Sequence, residues 1–171
     1  RSESLKVVQT SLQDTETQPR LLALGALAAS RDTRHLSLIM PKLEDPDLAV
    51  QRAAAQGLGQ LGSRGGATAL ISKAEKATDP SLLVAIGESL DKLGDNAADE
   101  ILGRLMKGKV EPKAQLQAAL LVEKRGDKKA TKYINKRLKK PVTDEDKVLI
   151  LTSRAKLGDK DAQRTLIDRS E

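Results

Sequence analysis

Apolar residues recur along this chain at intervals of three and four, the spacing that places them on one face of an α-helix. One such face is marked by Leu82, Leu83, Ile86, Leu90 and Leu93. No stretch alternates apolar and polar residues for long enough to predict a strand. The pattern therefore predicts an all-α chain.

A glycine that returns every 32 residues organises these helical segments. It occurs as Gly62, Gly94, Gly126 and Gly158, and Ser30 holds the corresponding place in an earlier copy. Apolar residues stand eight positions before and eight positions after each of these five residues. A unit this small cannot bury its own apolar face, so a fixed interval of this length predicts units that stack on one another.

Each unit is predicted to contain a first helix, a tight turn at the glycine and a second helix, because glycine accepts the left-handed conformation that often ends a helix. We expect first helices near 17–29, 46–61, 80–93, 112–125 and 144–157. Second helices are expected near 33–43, 65–76, 96–107, 128–139 and 160–169, with a further helix near 3–12. Pro41 should kink or shorten its helix, and Gly65 and Gly66 predict that residues 63–66 form the loosest turn.

One copy of the unit carries a family resemblance. Residues 45–62 read Asp-Pro-Asp-Leu-Ala-Val-Gln-Arg-Ala-Ala-Ala-Gln-Gly-Leu-Gly-Gln-Leu-Gly. This segment resembles the HEAT-like repeats of the short bacterial type named after phycobilisome lyases, although Gln51 stands where that family often has arginine. The resemblance implies a right-handed α–α superhelix of about five two-helix units, whose second helices line the concave face. It also implies a protein-binding scaffold. A tetratricopeptide array has a similar period but depends on aromatic residues, and Tyr133 is the only aromatic residue here.

The repeat boundaries predict a single domain over residues 1–171. Its parts are a partial unit at 1–14 and repeats at 15–45, 46–78, 79–110, 111–142 and 143–171. Because the chain starts and ends on helices without a strongly polar end unit, we expect further protein beyond one end.

Few residues of this chain could catalyse a reaction or bind a metal ion. The chain has no cysteine and one histidine, His35, and we find no second metal ligand or catalytic partner for that imidazole at helical spacing. We therefore expect no catalytic, metal or cofactor site and no cofactor. A lyase-like activity would rest on fold analogy alone.

The segment Gly57-Leu58-Gly59-Gln60-Leu61-Gly62 spells a dinucleotide-binding fingerprint. That fingerprint must follow a strand and open a helix, whereas these residues close a predicted helix. We therefore predict that the glycines serve close helix packing.

Charge is concentrated in one part of the chain. Residues 107–140 carry 12 basic and three acidic residues, a net charge of +9 within a chain whose total is +6. If second helices form one face, basic side chains form rows on it, which suits an acidic protein partner. The predicted partner-binding residues are Arg104, Lys107, Lys132, Lys136, Lys139 and Arg164. The alternative is electrostatic binding of nucleic acid or another polyanion through the patch around residues 104–140.

The sequence offers little about location. No apolar run approaches the roughly 20 residues that a membrane-spanning helix needs. We favour a cytoplasmic location, and a processed, exported protein stays open as the alternative. Partner identity and oligomeric state are not encoded in any motif that we find.

Overall fold

The computed structural model describes residues 2–138 and 143–167, and every regular element within these ranges is a helix. The helices are α1 (Ser2–Ser11), α2 (Thr17–Ala29), α3 (Leu36–Ile39), α4 (Leu48–Leu61), α5 (Arg64–Lys76), α6 (Pro80–Lys92), α7 (Ala97–Lys107), α8 (Pro112–Glu123), α9 (Lys128–Leu138), α10 (Asp144–Lys156) and α11 (Lys160–Ile167). Short 3₁₀ turns at Thr33–His35 and Met40–Glu44 flank α3. The predicted all-α order of first and second helices is confirmed.

The turn between the two helices of a unit has the same backbone conformation in four copies. Its glycines all have positive φ, at 70° in Gly62, 68° in Gly94, 83° in Gly126 and 90° in Gly158. Residues with a Cβ rarely adopt this conformation, so glycine at this position ends the first helix. The aspartate that follows then caps the second helix in three copies, where Asp95, Asp127 and Asp159 accept backbone N–H groups two residues ahead.

Two local predictions need correction. The helix expected over residues 33–43 is broken, because α3 has only four residues between two 3₁₀ turns, and Pro41 lies in the second of these turns. The segment from Ser63 to Gly66 is not a loose turn, since α5 already begins at Arg64. Gly66 is buried there, and a Cβ added at Gly65 would lie only 2.9 Å from Cδ2 of Leu36, so the small size of Gly65 serves packing.

The chain divides into two compact units, Arg1–Ile101 and Leu102–Glu171. In the first unit, α4 packs between α2 and α6. Small residues allow the close approach of α4 to α6, because a Cβ built on Gly59 would lie only 2.7 Å from the Cβ of Ser89. The glycine fingerprint therefore packs helices, as predicted. The prediction of one domain with the repeat boundaries given above stays a prediction.

Polar contacts also join neighbouring repeats in the first unit. Arg20 and Asp45 form a buried ion pair, with 3.0 Å between Nη2 and Oδ1. The Thr17 hydroxyl donates to Asp47 at 2.7 Å, and the Lys73 ammonium lies 2.8 Å from Glu44. The Thr17 and Lys73 bonds link residues that are 30 and 29 positions apart and connect a repeat to the next. Arg20 and Asp45, which are 25 positions apart, lie within one repeat.

The second unit has its core beneath α8. Leu116, Ala119 and Leu120 of that helix cluster with Ile134 of α9 and Ile150 of α10. The fully buried members of this cluster are all aliphatic, and Tyr133, the one aromatic residue of the chain, packs against them while partly buried. In the described part of the chain, no helix combines the length and the apolar character that crossing a bilayer requires.

Candidate partner-binding surface

Five of the six residues predicted to bind a partner lie on described helices with exposed side chains. They are Arg104 and Lys107 on α7, Lys132 and Lys136 on α9, and Arg164 on α11. Lys139 lies outside the described residues. The structure thus places Arg104 near Lys107 and Lys132 near Lys136, each pair within about one turn of a single helix. The prediction that the rows of the three helices adjoin one another stays a prediction.

The most uniform basic surface belongs to α9. Ala130 and Ile134 are fully buried and mark the face of this helix that packs on α8. Lys128, Lys132 and Lys136 recur at intervals of four and lie on the opposite face, where all three are exposed. We call these three residues the α9 lysine row.

The α9 lysine row is not neutralised within the described chain. No acidic residue occurs between Lys128 and Leu138, and none of the three lysines forms an ion pair with a described residue. Like charges four residues apart destabilise a helix. Lys128 adds to this cost because it lies at the helix N-terminus, where the helix dipole disfavours positive charge. The row is therefore a concentration of charge that the helix itself does not favour.

The corresponding rows on the neighbouring second helices either contain an acidic residue or are shorter than the row on α9. On α7, Glu100 lies one turn before Arg104, so opposite charges share that face. On α11, Lys160 and Arg164 repeat the basic pattern over one turn. The sequence alone does not distinguish the basic rows on α7, α9 and α11. Burial and charge in the structure together show that the row on α9 is the most uniformly basic one.

A polar network beneath this surface was not predicted. The guanidinium of Arg154 on α10 donates to Asn135 of α9 at 2.7 Å and lies 3.4 Å from Glu123 of α8. The Glu123 side chain is 10% exposed, and its Oε2 has no hydrogen-bond partner among the described residues. The separation of 31 residues between Glu123 and Arg154 is nearly one repeat, which is the sequence signal that would have revealed this link.

His35 is the only imidazole available for catalysis, and its neighbours fix its hydrogen bonds. The Ser30 Oγ lies 2.9 Å from its Nδ1 and 2.6 Å from the carbonyl oxygen of Leu27. A carbonyl oxygen only accepts, so the single hydroxyl proton of Ser30 is donated to Leu27. The Nδ1 of His35 therefore donates to Ser30 and does not deprotonate it, as a nucleophilic serine would require.

The charged residues next to His35 neutralise each other. Arg34 donates to both carboxylate oxygens of Asp32, with a shortest distance of 2.6 Å. These hydrogen bonds lower the pKa of Asp32 to about 2. Within residues 2–138 and 143–167, no three His, Cys, Asp or Glu side chains gather in a way that would hold a metal ion.

Comparisons with known proteins agree with this architecture. A family model described as HEAT repeats matches residues 5–80 and 43–123. Among solved structures, the chain is similar to one in the complex of CpcE and CpcF of phycocyanin lyase from Nostoc sp. PCC7120, with a TM-score of 0.61 and 22% identity over 95% of this chain and 68% of that chain. A search of curated proteins gave no match. The predicted HEAT-like solenoid class is confirmed, and the chain belongs to the HEAT repeat family.

Proposed function

We propose that this chain is a non-catalytic scaffold that binds an acidic segment of a partner protein along the face formed by its second helices, with the α9 lysine row at the centre. HEAT repeats are typical of protein-interaction scaffolds, and their rows of helices offer long surfaces instead of deep pockets. The single observation that carries the proposal is the lysine row, which is exposed, uniformly basic and unpaired among the described residues.

Charge along the sequence supports an acidic partner. Residues 102–171 contain 19 basic and 10 acidic residues, whereas residues 1–101 contain 11 basic and 14 acidic ones. The basic excess therefore coincides with the second compact unit, and an acidic partner is steered to that unit. We further propose that Arg104, Lys107, Lys139 and Arg164 extend the contact on either side of the α9 lysine row.

The magnitude of such a contact is modest. One exposed ion pair contributes about 0.2–1 kcal/mol, so three pairs at the α9 lysine row contribute roughly 1–3 kcal/mol. Relief of the repulsion between the lysines adds a few tenths of a kcal/mol. The α9 lysine row therefore contributes selectivity for an acidic partner and orients it. Contacts on neighbouring helices have to supply the rest of the binding free energy.

Binding of nucleic acid through the same lysines is the alternative function. Base stacking on single strands needs exposed aromatic side chains, and the only aromatic residue, Tyr133, is half-buried and donates to Gln115 at 3.2 Å. We therefore favour a protein partner. An activity like that of a lyase would need a reacting group, and we assign none; incubation with a bilin, followed by a check for bound colour, tests that possibility.

The test is a capture experiment from the source cell's lysate, run with and without nuclease and washed at low and at high salt. Its bait variant replaces Lys128, Lys132 and Lys136 by glutamate. A matched control makes the same change in charge at Arg31, Lys124 and Lys156, which are exposed, lie outside the second helices and form no ion pair with described residues.

We expect the parent chain and the control to retain the same discrete protein, and the α9 variant to lose it. Retention of that protein by the α9 variant would refute the proposed surface. Recovery of nucleic acid alone, lost at high salt, would establish the polyanion alternative, because phosphate contacts weaken steeply as salt rises.

A further inference from the structure

A cavity of about 770 Å³ lies in the first compact unit, between α1, the end of α2 and the broken segment around α3. Leu5 and Val8 of α1, Leu27 of α2 and Leu38 of α3 form its apolar walls. Its volume is within the range of roughly 300–1,000 Å³ that is typical of small-molecule sites.

The cavity is a departure from the packing of the next three repeats. Leu38 occupies the repeat position that is eight residues after the turn, and the residues at that position in the next three copies are fully buried. Those residues are Leu70, Leu102 and Ile134. Leu38 is only half-buried and faces the cavity instead. The continuous second helix that would fill this space is interrupted here by two 3₁₀ turns.

Six of the eleven residues that line the cavity have polar side chains, and the roles of Ser30, Asp32, Arg34 and His35 are fixed by hydrogen bonds, whereas those of Gln9 and Ser37 are not fixed by any described residue. His35 lines it, and its Nδ1 proton is committed to Ser30 by the hydrogen bonds described above. In the neutral imidazole, Nε2 is then an acceptor, and no described residue donates to it. Asp32 and Arg34 also line the cavity, but their mutual ion pair leaves no net charge to select an ion.

We propose that this cavity binds a small neutral molecule with an apolar body and one hydrogen-bond donor, such as a phenol-like or indole-like compound, with the donor directed to Nε2 of His35. The apolar walls take the body of the ligand. Because Asp32 and Arg34 are paired with each other, they offer a charged ligand no free counter-ion. This site lies in a different compact unit from the α9 lysine row and does not depend on the function proposed for that row.

The probe pair is 2-naphthol and 2-methoxynaphthalene, which have the same ring system and differ in that the ether has no donor. Binding is measured by naphthalene fluorescence, to which a chain without tryptophan contributes little background. We expect both compounds to bind, with 2-naphthol bound about three- to tenfold more tightly, the effect of one neutral hydrogen bond.

Two variants separate the roles of the walls and of the imidazole. Ala26→Phe places a ring in the cavity from a position that is exposed on α2, so it should abolish binding of both compounds without disturbing the core. His35→Phe keeps a ring but removes Nε2, so 2-naphthol should fall to the affinity of the ether while the ether is unaffected.

Several results would overturn the proposal. They are the absence of saturable binding to the parent chain, equal affinities for the two compounds, and binding that survives Ala26→Phe. If His35→Phe fails to fold, the comparison of the two compounds on the parent chain and on Ala26→Phe still decides the question.

Discussion

Replacement of Gly59 by alanine tests whether the close contact between α4 and α6 depends on the absence of a side chain. The added Cβ would lie 2.7 Å from the Cβ and 2.9 Å from the Cα of Ser89. Carbon atoms in contact are normally about 3.5–4 Å apart, so the two helices would have to separate by nearly 1 Å. Backbone atoms are involved, and a change of rotamer therefore cannot relieve the overlap.

The expected cost follows from two opposing terms. Overpacking of a well-packed contact costs about 1–3 kcal/mol, whereas alanine in place of glycine within a helix contributes about 1 kcal/mol of stability. We therefore expect Gly59→Ala to lower the free energy of unfolding by up to about 2 kcal/mol. The matched control is Gly25→Ala in α2, where no atom lies within 4 Å of the added Cβ. It should raise that free energy by about 0.5–1 kcal/mol.

The measurement is urea unfolding followed by far-UV circular dichroism for the parent and both variants. Adding Ser89→Gly to Gly59→Ala should recover part of the loss, because the serine Cβ is removed from the contact. Equal stabilities of the two alanine variants would refute the packing argument. So would a double variant whose effects were the plain sum of the single ones, since residues in contact should couple by 0.5 kcal/mol or more.

Three other outcomes are expected from similar measurements. Arg20→Leu should lower the free energy of unfolding by about 1–3 kcal/mol, because the buried Asp45 carboxylate then keeps, among the described residues, only the longer ion pair with Lys42, at 3.7 Å, and the Asp47 N–H; a loss below about 1 kcal/mol would contradict this. Asp127→Ala should cost about 1 kcal/mol in urea unfolding through loss of the cap on α9, and an unchanged midpoint would exclude a capping role. Burial raises the pKa of Asp79, but hydrogen bonds from the Ser81 hydroxyl and the Leu82 N–H outweigh it, so that the pKa lies below its ordinary value of 3.8. The resulting stability is complete above pH 3.8 and is lost as the pH falls through the lower folded value; Asp79→Asn, which can still cap the helix, should flatten the loss measured between pH 5 and pH 2.

The helix pattern could be predicted from sequence because glycine and proline act locally. Gly62 and Gly94 end helices through their own backbone conformation, and Pro80 and Pro112 stand at the first position of α6 and α8. No contact with a distant residue is needed for either effect. For this reason the expected and observed bounds of the first helices agree within two residues.

Other features depended on distant partners and could not be predicted. Gly65 and Gly66 are typical of a turn, but both lie in the first turn of α5, close to Leu36 and Leu58. The positions of Ser30 and Leu27 determine which nitrogen of His35 carries the proton, and those positions depend on the fold.

The candidate surface was predictable in composition but not in arrangement. Lysines on α9 are visible in the sequence, and the four-residue spacing of Lys128, Lys132 and Lys136 could have been noticed there. Their isolation from acidic residues on other helices could not, since ion pairs such as Lys113 with Glu145 join residues that are 32 positions apart.

The bonds between neighbouring repeats have a consequence for how a gene of this kind changes length. Ion pairs and hydrogen bonds such as Thr17 with Asp47 and Arg154 with Glu123 join residues separated by about one repeat. Inserting one codon within a helix turns every later side chain of that helix by about 100°, and donors then miss their acceptors. Duplication of a whole repeat leaves each partner at its usual distance. Heritable variation in length is therefore expected to accumulate in whole repeats, while single-codon insertions are confined to the turns.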